Sequence, residues 1–182
     1  SWGMLLGIDV RQGLRDSEGE SGAALDYFLW RPRGHIKLEV SDELSVGLAV
    51  AAQISSDSLP EQSQWVLGGA DAIYAYLPGV AVGDQGALAV LQAEYQAIDL
   101  GSVKLTPRVF VEGGTARYVA TEQFPDEAEV TLVDVGVEVS ASLRDWLDAS
   151  LAYARPLKDA DLPDDTREHA EAGMLFRVSA KF

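Results

Sequence analysis

Histidine is the side chain whose ordinary pKa suits proton transfer near neutral pH, and this sequence has two, His35 and His169. His35 falls in the alternating series Arg31, Arg33, His35, Lys37, Glu39, so on a strand it shares a face with three cations and reads as part of a charge network. His169 stands within an acidic run. A Ser-His-acid hydrolase acting on membrane lipid would rely on His35, yet no serine stands at a recognisable spacing from either histidine. The absence of cysteine removes thiolate metal sites and disulfides. No zinc spacing, phosphate-cradling glycine loop or nucleotide fingerprint is present. The residues point away from catalysis, cofactors and metals.

The remaining charges are ordered by a period of two. Trp2, Met4, Leu6, Ile8 and Val10 alternate with Gly3, Leu5, Gly7, Asp9 and Arg11, and Val133, Val135, Val137 and Val139 alternate with Asp134, Gly136 and Glu138. The same pattern predicts eight strands at about 2–14, 26–40, 44–56, 86–98, 102–113, 130–143, 146–156 and 172–182, in one domain over 1–182. One face of each is apolar. The other carries Arg31, Arg33, Lys37, Lys104, Arg108, Arg177 and Lys181 together with Glu39, Glu94, Glu112, Asp134, Glu138 and Asp148. Such charges either fill an interior as ion pairs or line a conduit, and both uses require pairing.

Connections between these strands alternate long and short, which is the arrangement of an outer-membrane barrel with long outer loops and short periplasmic turns. A soluble β-sandwich is the alternative, but it has no reason to alternate its connections. No run approaches the ~18–20 apolar residues of a membrane helix, so the expected fold class is all-β, a transmembrane antiparallel β-barrel. Aromatic residues near strand ends, Trp2, Trp30, Tyr95, Tyr153 and Phe182, fit interfacial girdles. No signal peptide is visible from Ser1, as after cleavage or in a fragment. The formal charge of −15 argues against nucleic acid as a partner. Acidic runs at Asp16 to Glu20, Glu122 to Glu129 and Asp159 to Glu171 read as solvated loops, or as sites bridging divalent cations among lipopolysaccharide phosphates.

The connection 57–84 is too long and too apolar for a linker, since it holds Trp65, Val66, Leu67, Ile73, Tyr74, Tyr76 and Leu77. Its centre reads Gly68-Gly69-Ala70-Asp71-Ala72-Ile73-Tyr74-Ala75-Tyr76-Leu77-Pro78-Gly79. This resembles the lumen-loop motif of two-partner secretion transporters, the hemolysin secretion/activation type within the barrel-assembly superfamily of outer-membrane proteins. The family pattern is roughly Gly-Gly-x-x-Ser-Val-Arg-Gly-Tyr-x-x-Gly. Gly68, Gly69, Tyr76 and Gly79 match it and Ile73 replaces valine, while Tyr74 stands at the arginine, Ala75 at the glycine and Ala72 at the serine. A second family motif, Phe-x-Asp-x-Gly, resembles Phe110-Val111-Glu112-Gly113-Gly114, with glutamate for aspartate. In that family the loop arginine reaches the aspartate across the lumen.

The resemblance implies the C-terminal half of a sixteen-stranded barrel, with the loop folded inward and docked through Gly68, Gly69, Ile73, Tyr74, Tyr76, Gly79, Phe110, Glu112 and Gly114. It implies a bacterial outer-membrane protein-translocation pore, set among outer-membrane lipids and lipopolysaccharide and serving a secreted partner protein. An aromatic terminal residue, Phe182, resembles the C-terminal signal read by the barrel-insertion machinery. Two alternatives stand beside it. One is a closed eight-stranded barrel with a structural or surface-interaction role, whose filled interior would force the loop outside. The other is the outer-membrane lipid hydrolase.

Overall fold

The computed structural model describes residues 1–13, 26–69, 72–95, 98–119, 129–143, 147–157 and 173–180. Among these residues eleven strands form: β1 (Trp2–Gln12), β2 (Phe28–Glu39), β3 (Leu44–Ser55), β4 (Trp65–Leu67), β5 (Ala81–Gly83), β6 (Gln85–Tyr95), β7 (Ile98–Asp99), β8 (Val103–Arg117), β9 (Glu129–Leu143), β10 (Leu147–Pro156) and β11 (Met174–Ala180). The long strands make one antiparallel sheet in the order β1-β2-β3-β6-β8-β9-β10-β11, each beside its neighbour in sequence, while β7 pairs with β8. The fold is all-β and antiparallel. No helix among the described residues is long and apolar enough to cross a membrane, which says nothing about strands.

Alternation places the apolar residues on a face that nothing among the described residues covers. Trp2 is 74% exposed and Leu6 69%, and Leu48, Leu91, Val109, Val137, Leu151 and Phe176 carry the exposed surface across the sheet. The opposite face buries polar side chains: Gln53, Glu112 and Asp134 are all within 3% of full burial. This inverts the distribution of a water-soluble domain, in which an apolar patch this continuous is unusual. Pro32 leaves a gap in one ladder. Trp30 pairs with Ile54 and the next recorded β2–β3 pair is Arg33 with Ala51, because a proline has no N–H to give.

Among the described residues β1 and β11 each pair on one side, so the sheet is open. This corrects the closed eight-stranded alternative, which needs those two strands hydrogen-bonded to each other. The second discriminant agrees, because the connection after β3 lies on the polar face, where a side-chain-filled small barrel has no room. That connection also has structure of its own: a 3-10 turn at Glu61–Ser63 and the small hairpin β4–β5. His169, Phe182 and most of the acidic runs lie outside the described residues.

Candidate functional site, a loop docked on the polar face

The hairpin β4–β5 carries its loop to the wall through four residues with positive φ: Gly68 at 97°, Gly69 at 92°, Gly79 at 80° and Ile73 at 66°. A Cβ at Gly68 would lie 2.2 Å from the Leu77 carbonyl oxygen, so the glycine closes the loop base by close approach as well as by conformation. Ile73 is different. A β-branched residue at positive φ is strained, and the strain is offset by complete burial in a cluster with Leu67, Ala75, Tyr76, Phe110 and Leu132.

The turn at Ile73 aims successive backbone N–H groups at two carboxylates. Tyr74 N–H donates to Glu112 Oε2 at 3.0 Å and Ala75 N–H to Asp134 Oδ2 at 2.7 Å. Glu112 and Asp134 are direct cross-strand neighbours on β8 and β9. Contacts of this kind do not depend on the side chain at position 74, so they survive a tyrosine at the place of the family's arginine. Sequence reasoning placed Asp134 among the polar-face charges but not in the docking set, because its meeting with Glu112 is fixed by strand register.

The guanidinium at this site comes from the wall. Arg108 on β8 pairs with Glu138 at 2.5 Å, donates to Gln92 Oε1 at 2.8 Å and to the Tyr74 hydroxyl at 3.3 Å. Its Cζ lies 5.0 Å from the Phe110 ring centre and 5.7 Å from that of Tyr74, and the two rings are 5.0 Å apart. Burial, then the Glu138 carboxylate, push the Tyr74 phenol above its ordinary pKa, so it stays protonated at neutral pH.

The alternation of Phe110, Glu112 and Gly114 on one face gives each a task. Phe110 lies over Gly136, where a Cβ would come within 2.3 Å of its ring. Glu112 takes the loop amide. Gly114 gives space for Leu67 and Ile73, whose terminal carbons lie 3.1 and 3.2 Å from where a Cβ would be. Gly113 and Gly114 are both paired within the β8 ladders and neither has positive φ, so the need at Gly114 is room.

Where the connection leaves the sheet, a second clamp forms that sequence reasoning missed. Asp84, fully buried, accepts the N–H groups of Leu59 at 2.8 Å and Val119 at 2.9 Å. Gln53 donates to the carbonyls of Ser63 and Asp84, and Arg31 donates to Gln53 Oε1 and the Ser63 carbonyl. A glutamine isolated on the small-residue face of β3, Ser45, Gly47, Ala49, Ala51, was the available signal. His35 faces Leu5 and Ala49 across its two ladders and makes no hydrogen bond to serine or carboxylate among the described residues.

No protein-family model and no curated protein matches the chain. Among solved structures, CdiB from Escherichia coli superposes with a TM-score of 0.72 at 15% identity, over 98% of this chain and 34% of that one. At that identity the likeness is one of fold, and the chain spans about a third of CdiB's length (34%).

Proposed function

We propose that the chain forms the C-terminal part of an outer-membrane translocation pore of the two-partner secretion kind. Its apolar face meets lipid, its polar face lines the pore, and the segment Gly68–Gly79 is an inward loop whose docked position sets how open the pore is. CdiB, a two-partner secretion transporter, supports the reading at the level of fold. The observation that carries it is the pairing of an uncovered apolar face with an opposite face on which a long connection is clamped by buried carboxylates.

In hydrocarbon every backbone polar group must be paired, which a continuous antiparallel ladder achieves across its middle but not at its two edges. Strands completing the wall between β1 and β11 satisfy those edges in the proposed assembly. The strands have the length for the task, since ~9–11 tilted residues cross a bilayer and β1, β2, β3, β6, β8 and β9 have 11 to 15. The family implies a secreted protein as the cargo.

Planar-bilayer recording of the proposed assembly, this chain joined to the strands that close its wall, tests this. A conducting pore whose open probability rises when Glu112 and Asp134 are both replaced by alanine is the expected result. A silent insertion, or conductance indifferent to both replacements, overturns the reading.

A further inference from the structure

The cross-strand registers arrange the polar face in rows, and two rows carry the docked loop. One runs Leu5, His35, Ala49, Val90, Glu112, Asp134, and the next runs Gly7, Arg33, Ala51, Leu88, Gly114, Leu132. The loop covers the β8–β9 end of both rows. Their β1–β6 end is an open cavity of ≈ 370 Å³, floored by Gly7, Ala49 and Ala51 and walled by Leu5, Leu88 and Val90. Leu88 also packs against the loop's buried cluster, so the cavity and the loop share a wall.

The charge in this cavity is one-sided. Arg31, Lys37 and Arg108 are engaged by Gln53, Glu94 and Glu138 respectively, whereas Arg33 and His35 have no hydrogen-bond or ion-pair partner among the described residues. No carboxylate lines the cavity. The Arg33 side chain lies flat over Gly7, its Nε 2.9 Å from where a Cβ would be, which holds the guanidinium against the apolar floor. An unpaired guanidinium beside apolar side chains, in a chain otherwise rich in acid, complements a carboxylate carried on an apolar segment.

We propose that this cavity binds an extended polypeptide segment whose acidic and large apolar side chains lie two residues apart and so share one side, Arg33 pairing with a carboxylate while Leu5, Leu88 and Val90 receive the apolar side chains. The cargo thus contacts the wall directly beside the docked loop. This rests on the pore reading for its setting, but the contact itself needs only the folded sheet.

The test is fluorescence anisotropy of a labelled synthetic peptide that repeats Glu-Ser-Leu-Ser, so that glutamate and leucine share one side and serine the other, added to the full chain refolded in zwitterionic detergent; the control peptides keep the same spacing. Lysine/leucine and glutamate/serine peptides are the controls, the first also reporting insertion into micelles. Saturable, salt-sensitive binding of the glutamate/leucine peptide alone is expected, weakened about tenfold or more by Arg33→Glu and retained within about threefold by Arg33→Lys. Unchanged resistance of the 57–84 connection to chymotrypsin shows that each variant is folded. Equal binding by Arg33→Glu, equal binding of the lysine/leucine peptide, or no binding by the unaltered chain overturns the proposal. Conductance by the closed assembly without binding by the chain refutes this site alone, and binding by the chain with a silent assembly refutes the pore reading alone.

Discussion

The amide-to-carboxylate docking can be separated from a charge-based lock by comparing Glu112→Ala with Glu112→Gln. Glu112 accepts the Tyr74 N–H at 3.0 Å in a site that is 3% exposed. A hydrogen bond to a charged acceptor contributes about 1.5–3 kcal/mol, so alanine should raise the undocked population roughly 10- to 150-fold. Glutamine keeps a carbonyl oxygen for the same N–H. It forfeits the charge-assisted excess of about 1 kcal/mol, partly offset by relief of repulsion from Asp134 directly across the ladder. Its effect should stay within roughly fivefold.

Chymotrypsin cleavage of the folded protein reads this out. The 57–84 connection holds no lysine or arginine but contains Tyr74 and Tyr76, and Tyr76 is buried when docked. When closing outruns cleavage, the cutting rate follows the open population. Glutamine cutting as fast as alanine would refute the hydrogen-bond account, because the negative charge would then be what matters.

At Ile73, glycine should be tolerated better than alanine. Both lose the buried side chain, about 2–3 kcal/mol, but only glycine relieves a left-handed backbone that costs an L-residue about 1–2 kcal/mol; the order of cleavage rates checks it. Arg108→Ala should destabilise the docked state by about 3–5 kcal/mol by stranding the nearly buried Glu138, whereas Tyr74→Phe, which removes one long hydroxyl contact, should cost about 1 kcal/mol or less; urea-induced loss of loop protection measures both. Gly136→Ala should expel the Phe110 ring and cost about 1–3 kcal/mol, visible as a loss of near-ultraviolet circular dichroism from the Tyr74–Phe110 pair. Val137→Arg on the apolar face should weaken insertion into vesicles by about 2–4 kcal/mol, while Ser140→Arg on the polar face should have a far smaller effect.

The strands were legible because a period of two survives in Trp2–Val10 and Val133–Val139, where every second residue is apolar whatever lies beside it. That the 57–84 connection packs rather than dangles was legible from its excess of large apolar residues. What stayed hidden depends on register. Nothing local to Asp134 says that it sits opposite Glu112, nor that Arg108 on the wall reaches under a loop tyrosine 34 residues earlier in sequence. Shifting β9 against β8 by two residues would keep the alternation and dissolve the first contact, and shifting β8 against β6 would dissolve the second. Ile73 misleads for a related reason, because an isoleucine ordinarily argues against the left-handed conformation that the buried cluster imposes on it. Gln53 and Asp84 read as ordinary polar residues until the ends of the connection are brought together.

The central claim is that one face of this sheet meets lipid and the other a pore, and the cysteine-free sequence allows a direct measurement. Single cysteines at Leu91 and Gln92, adjacent on β6 and on opposite faces, are labelled with a polarity-sensitive fluorophore and reconstituted into vesicles. Blue-shifted emission from Leu91→Cys, quenched by nitroxides on lipid acyl chains, with Gln92→Cys accessible to an aqueous quencher, is the predicted result. Water-like emission from Leu91→Cys, or acyl-chain quenching of both positions alike, contradicts the account.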